Sequence, residues 1–89
     1  MKLSSLLEVP SIRILIFLDE KGGEARYGDL AKFIASRGTL SMNLKDLEEE
    51  RLIKRRIVET KPIQAYYTLT AKGFEITRRL KEIKRIIRE

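Results

Sequence analysis

The fold of this chain is decided by residues 36–47, which read Ser36-Arg37-Gly38-Thr39-Leu40-Ser41-Met42-Asn43-Leu44-Lys45-Asp46-Leu47. Leu40, Leu44 and Leu47 recur at intervals of four and three residues, so they lie on one stripe of a helix. Ser36 stands where an N-cap side chain is preferred. The stretch therefore predicts an amphipathic helix that buries its leucines and turns its polar and basic side chains outward.

Shorter segments precede this helix. Pro10 begins a predicted first helix, whose apolar run ends at Gly22 and Gly23. A stub of strand from Glu24 to Tyr27 follows, and helical spacing then predicts a second helix over residues 28–35. Only a short turn separates the predicted second and third helices.

The apolar period changes to two after the third helix. Alternation and frequent β-branched residues predict a hairpin with strands over residues 53–60 and 65–69 and a tip at 61–64. Thr70 supplies an N-cap for a last helix that starts at about residue 71. The order of elements is that of a winged helix-turn-helix, an α+β fold that is mostly α. The bare order alone would also fit another small α+β domain.

The composition argues against several classes of function. Cysteine and histidine are both absent, which removes disulfides, thiolate nucleophiles, imidazole bases and the usual zinc ligands. A Ser or Lys nucleophile or a carboxylate pair remains formally open, but no catalytic motif accompanies one. We therefore predict a protein that is not an enzyme and binds no metal and no cofactor. No uncharged apolar run approaches the roughly 18 residues that a membrane span needs, and no signal peptide is found, which predicts a cytoplasmic protein without a membrane partner.

The net charge of +6 is unevenly distributed. Residues 1–52 hold 8 Lys/Arg and 9 Asp/Glu, giving −1, whereas residues 53–89 hold 11 and 4, giving +7. Such asymmetry indicates a polyanionic partner. A basic surface can also serve solubility alone or reflect a thermophile's composition.

The chain resembles winged-helix regulators of the ArsR, MarR and HxlR kind, particularly their small archaeal members, over roughly residues 10–85. The matching stretches are Tyr27-Gly28-Asp29-Leu30-Ala31, Ser36-Arg37-Gly38-Thr39-Leu40-Ser41, Leu44-Lys45-Asp46-Leu47-Glu48-Glu49, Leu52-Ile53 and Tyr67-Thr68-Leu69-Thr70-Ala71-Lys72-Gly73. In the last stretch, Tyr67 and Leu69 share one strand face and are expected to seal the core. The resemblance implies a transcription regulator that binds double-stranded DNA as a homodimer.

Two departures from these families limit what can be carried over. Metal-sensing relatives use Cys and His ligands and redox-sensing HxlR relatives use an N-terminal Cys, and this chain has none of them. Asn43 stands where many relatives have His. Neither mode of sensing is therefore expected here, and base recognition at position 43 is not transferred.

The predicted DNA-binding surface combines the third helix and the wing. Opposite the leucine stripe the helix presents a face that fits a major groove, with its N terminus placed to meet phosphate. The wing adds basic side chains near its tip, while Arg55 is open to an alternative in which it turns inward and pairs with an acid. An ordinary solvated face remains the alternative for both elements. The predicted DNA-binding residues are Ser36, Arg37, Gly38, Thr39, Ser41, Met42, Lys45, Arg56, Lys61 and Gln64.

The last helix carries a predicted dimerisation seam of Ile76, Leu80, Ile83 and Ile87, repeating at four, three and four residues. We thus expect one domain over residues 1–89, with a winged-helix core at about 10–73 and a C-terminal dimerisation helix at about 71–89. A second subunit would also cover the first helix, which is apolar almost all round. Phe74 is expected to pack against the core. The seam could instead fold back on its own domain or lie on a membrane.

Two further functions stay open at this point. A winged helix can serve as a protein-interaction module in a larger transcription assembly, where the basic half would meet an acidic partner. Binding of RNA or single strands is less favoured, because stacking platforms need exposed aromatic side chains and Tyr66 is the one obvious candidate.

Overall fold

The computed structural model of the chain describes residues 2–89, which form four α-helices and three β-strands. The helices are α1 (Pro10–Glu20), α2 (Tyr27–Ala31), α3 (Arg37–Glu49) and α4 (Ala71–Ile87), and a 3-10 helix over Leu3–Glu8 precedes α1. The strands are β1 (Glu24–Arg26), β2 (Ile53–Val58) and β3 (Gln64–Leu69). This is the predicted order of a winged helix-turn-helix with a C-terminal helix.

The three strands form one antiparallel sheet in the order β1-β3-β2. Its central strand, β3, pairs Leu69 with Ile53 of β2 and Tyr67 with Ala25 of β1. These four side chains are buried on the face that covers the helices, because side chains alternate between the two faces of a strand. The prediction that Tyr67 and Leu69 seal the core is confirmed.

The hydrophobic core lies between the helices and this sheet face. Ile14 and Leu18 of α1 are fully buried with Leu40 of α3, and Leu44 and Ile53 are almost so. Because α1 packs against α3, α4 and β3 of its own chain, a second subunit is not needed to cover it. The expectation of such a cover is therefore corrected: one chain already supplies elements on several sides of α1.

Several element boundaries differ from the sequence-based expectation. The first strand ends at Arg26 and the second at Val58, rather than at Tyr27 and Thr60, and two further differences have an identifiable cause. The second helix ends at Ala31 rather than Ala35, since a turn in which the Phe33 and Ile34 N–H groups donate to the Leu30 carbonyl carries Ile34 into the core. In the hairpin, Gln64 was expected at the tip but begins β3, where it pairs with Val58. Tertiary packing and cross-strand pairing thus outweigh local propensity at both places.

A hydrogen-bond cluster fixes the junction between β3 and α4. The Thr70 hydroxyl accepts a 3.0 Å bond from the Gly73 N–H and donates a 2.7 Å bond to the Arg51 carbonyl, while the Thr70 N–H donates to the Leu52 carbonyl. Arg51 ends the α3 turn with a φ of 62°, in the left-handed region. The stretch Leu69-Thr70-Ala71-Lys72-Gly73 therefore joins the wing, the end of α3 and the start of α4.

The last helix folds back along α1 at its N-terminal end. Ile76 and Leu80 are partly buried against the core, and Thr77 is fully buried beside them. Lys81 forms a 2.8 Å ion pair with Asp19 of α1. The structure thus assigns the first half of the predicted dimer seam to intrachain packing. Within residues 2–89, no helix is both long and apolar enough to cross a membrane.

Phe74 has a narrower role than expected. Its side chain is 41% exposed, and its ring lies over Gly23, where an added β-carbon would collide with it. Gly23 has a φ of 103°, which side-chain-bearing residues rarely adopt. Phe74 therefore closes the turn after α1 instead of entering the core.

Candidate nucleic-acid interface

The outward face of α3 lies opposite the buried leucines and is largely exposed. Ser36 caps the helix by accepting a 3.2 Å hydrogen bond from the Thr39 N–H. The remaining residues of the predicted reading face are placed together along two turns. Thr39 is half-buried, while Ser36, Arg37, Gly38, Ser41, Met42 and Lys45 are exposed. The structure thus brings the predicted α3 residues onto one accessible surface.

Two contacts hold the flanks of this face. The Tyr27 hydroxyl at the start of α2 lies 3.3 Å from the Ser41 hydroxyl. Asn43 donates a 2.7 Å hydrogen bond from its side-chain amide to the Thr39 carbonyl, one turn earlier in α3. Asn43 is consequently engaged with its own helix, in agreement with leaving position 43 out of the reading face.

The inner face of the wing contacts the C-terminal end of α3. Arg55 of β2 lies with its Nε 3.8 Å from Glu48 Oε1, and both flank a groove that is also lined by Ser41 and Lys45. The alternative that Arg55 pairs with an acid is therefore confirmed, although its side chain stays 53% exposed. Burial raises the pKa of the neighbouring Tyr67 phenol, and the charge of Arg55 opposes this rise.

The outer face of the sheet holds two residues that were expected to act with the wing tip. Arg56 stacks over the Tyr66 ring at 4.7 Å and lies 3.4 Å from Glu24 of β1. Gln64 accepts hydrogen bonds from the Tyr66 hydroxyl at 3.2 Å and from Arg26 at 3.4 Å. The pleat therefore places Arg56 and Gln64 on the side opposite Arg55, and leaves Lys61 in the exposed tip between the strands.

Glu24 is the anchor of this outer network. The Thr68 hydroxyl donates a 2.7 Å hydrogen bond to its carboxylate. This bond, assisted by Arg56 and opposed by some desolvation of the carboxylate, lowers the pKa of Glu24 below its ordinary value. Sequence reasoning missed Glu24 and Tyr27. The polar-apolar-polar order of Glu24, Ala25 and Arg26 was the signal in the sequence that β1 has an outer face, and the structure exposes the first and third of these residues.

The site has no arrangement of side chains typical of metal chemistry. Across residues 2–89, no group of three or more Asp, Glu, His or Cys residues is placed to hold a metal ion. The α3 face instead offers hydroxyls, one lysine, one arginine and one thioether. Such groups contact base edges and phosphates through hydrogen bonds, charge and apolar contact.

The three-helix core, the α2–α3 pair and the hairpin define a winged helix-turn-helix protein. Residues 11–89 match the family described as HxlR-like helix-turn-helix, and the chain belongs to this family. The resemblance to winged-helix regulators of the HxlR kind is thereby confirmed. A comparison with curated proteins gave no match.

Solved structures agree with this assignment. The transcriptional regulator homologue from Pyrococcus horikoshii OT3 is 26% identical with a TM-score of 0.76, covering 96% of this chain and 87% of that one. Reduced YodB from B. subtilis, a transcriptional regulator, is 27% identical with a TM-score of 0.67, covering 90% and 79%. A MarR-family protein from Porphyromonas gingivalis W83 shares the fold at 24% identity with a TM-score of 0.73, covering 98% and 89%. This chain is a DNA-binding transcriptional regulator of the HxlR-like helix-turn-helix family.

Proposed function

We propose that this protein is a homodimer that binds a specific double-stranded DNA site, with α3 of each subunit in the major groove. The α3 face carries this proposal. Its buried side is fixed to the core by Leu40, Leu44 and Leu47, so the opposite side is held rigidly outward. A helix held in this way fits the width of a major groove.

The start of α3 suits a close approach to DNA. Gly38 is exposed and an added β-carbon there would have one neighbour at 3.7 Å, the Ser36 hydroxyl. The backbone at this turn is therefore open on its outer side. Arg37 and the free N–H groups of the first turn favour a phosphate, because the helix N terminus carries partial positive charge.

The wing contributes mainly through its tip in this proposal. Lys61 is exposed beyond the ends of β2 and β3, where it can reach a phosphate beside the groove occupied by α3. Arg56 and Gln64 are already engaged on the outer sheet face. We therefore expect Lys61 to contribute more to DNA affinity than Arg56 or Gln64.

The second half of α4 supplies the proposed dimer contact. Ile83 and Ile86 are 37% and 58% exposed, and Ile87 is half-buried. Ile76 and Leu80, which complete the predicted seam, extend the same stripe but are partly covered by the core. A dimer formed here would present two α3 helices, and paired half-sites for such helices lie about one turn of DNA apart, roughly 34–36 Å.

The test is selection of bound sequences from a random duplex pool, followed by salt titration on the selected duplex. We expect a palindromic consensus and a steep loss of affinity with salt, since each neutralised phosphate contributes about −0.9 to the slope of log affinity against log salt. Lys61→Gln should remove about two phosphate contacts per dimer and so make that slope shallower by about 1.8. Arg56→Gln, matched in charge, should change it less.

The opposite result would favour another function. If no duplex is enriched and binding to random DNA is undetectable at low salt, the DNA-binding proposal fails. The protein-interaction module would then be the better account of the basic wing and C-terminal helix.

A further inference from the structure

Met42 is the one large apolar side chain within the polar reading face of α3. It is 63% exposed, and Ser41 and Lys45 of the same helix are exposed as well. A single exposed apolar residue is ordinary on a protein surface. This one is unusual in its setting, because it lies at the centre of the face proposed to enter the major groove.

The turn preceding Met42 leaves room for it to reach a partner. Side chains of a helix lean toward its N terminus, over the residue four positions earlier. For Met42 that residue is Gly38, which has no side chain. A β-carbon added at Gly38 would have only the Ser36 hydroxyl within 4 Å, so the surface on the N-terminal side of Met42 is open and a base edge can approach from there.

The chemistry of Met42 selects among the groups in a major groove. Its side chain cannot pair with the hydrogen-bond donors and acceptors of guanine, adenine or cytosine as a charged or amide side chain would. Thymine alone of the four bases presents a methyl group there. A flexible, polarisable thioether packs well against such a group.

We infer that Met42 contacts the C5 methyl group of a thymine in each half-site and is a specificity-determining residue of α3. This inference rests on the proposed function. Lys45, one turn further along the same face, suits the O6 and N7 acceptors of guanine. Each half-site is therefore expected to hold a thymine beside a position that favours guanine.

The experiment replaces thymine by deoxyuridine, which lacks only the methyl group, one position at a time in the duplex selected above. Burial of one methyl predicts that the wild-type protein loses affinity about fourfold for one substituted half-site and roughly fifteenfold for both. The other thymines of the same duplex serve as internal controls. Met42→Ala should be insensitive to the substitution, and Met42→Leu should retain sensitivity.

Each outcome decides the inference. A loss confined to one thymine per half-site, and abolished in Met42→Ala with unchanged circular dichroism, supports it. Equal wild-type affinity for all deoxyuridine duplexes, a consensus without thymine, or the same loss in Met42→Ala overturns it while leaving DNA binding intact. If the wild-type protein selects no duplex, the proposed function fails, and this inference fails with it.

Discussion

The main-chain carbonyl of Leu52 lies against the α-carbon of Gly73, at the point where α4 leaves the sheet. A β-carbon built on Gly73 would collide with the Leu52 oxygen and approach the Leu69 side chain. The glycine is required by this close approach of two backbones, since Gly73 lies within α4 and needs no unusual φ. The contact fixes the C-terminal helix against the end of α3.

Gly73→Ala should therefore destabilise the fold. Overpacking against a backbone atom typically costs about 1–3 kcal/mol, and occasionally more. The matched control is Gly28→Ala, in α2, where an added β-carbon would meet nothing within 4 Å. That change should stabilise by up to roughly 1 kcal/mol through helix propensity. Urea unfolding followed by circular dichroism measures both, and equal midpoints would contradict the prediction.

Lys45→Ala and Arg37→Ala should weaken DNA binding while the fold survives. Both side chains are exposed on α3, so their removal leaves no cavity. Loss of a base contact should cost on the order of 1–3 kcal/mol and relax specificity at one position, whereas loss of a phosphate contact should act uniformly across sequences. Fluorescence anisotropy on selected and scrambled duplexes distinguishes the two.

Arg88→Ala provides the control for those variants, because it removes the same charge at the end of α4. It should change affinity much less. If Lys45→Ala and Arg37→Ala bind DNA as tightly as the wild type, α3 is not the reading helix.

Ile83→Lys should dissociate the proposed dimer. It places a charge among the exposed apolar side chains of the second half of α4, next to Ile86 and Ile87, and burying an unpaired charge in an interface is strongly unfavourable. Sedimentation equilibrium at tens of micromolar, roughly the range in which a weak dimer populates, should give twice the chain mass for the wild type. The variant should sediment as one chain.

Glu82→Lys is the control for the dimer, since it introduces a lysine at the neighbouring exposed position, about 100° further round the helix. We expect it to remain dimeric. A wild-type protein that sediments as a single chain would refute the assignment of this surface.

The Glu24 network should make stability depend on acid pH. The Thr68 hydroxyl and, to a lesser extent, Arg56 lower the pKa of Glu24 in the folded state. The contribution of Glu24 to the free energy of unfolding is therefore present above its ordinary pKa of 4.5, and it is lost as the pH falls through the folded-state pKa. The stability difference between the wild type and Glu24→Gln should therefore shrink on acidification. Urea unfolding across this range measures it.

Thr68→Val tests the cause of that dependence. Removing the hydroxyl eliminates the 2.7 Å hydrogen bond to Glu24 and should raise the pKa of the carboxyl toward its ordinary value. The pH-dependent part of the stability that Glu24 contributes should then diminish. A pH-dependent part that persists unchanged in Thr68→Val would mean that Thr68 is not the main cause.

Local patterns in the sequence determined most of the elements and the class of the protein. Leu40, Leu44 and Leu47 fixed the buried side of α3, and with it the outward placement of Met42 and Lys45, because helical periodicity assigns a face to every residue. The alternation of side chains along a strand likewise assigned Tyr67 and Leu69 to the buried face of β3. Ser36 and Thr70 marked helix starts through a hydrogen bond that spans three residues.

The tertiary structure alone decided which partner covers each face. Periodicity showed that Ile76, Leu80 and Ile83 share a stripe, but packing of α4 along α1 buries the first two in part and leaves Ile83 more exposed. Arg56 meets Glu24, 32 positions away in the chain, only because β3 pairs with both of their strands. Local sequence encodes the direction of a side chain, whereas its neighbour is set by long-range pairing and by the competition of apolar faces for one core.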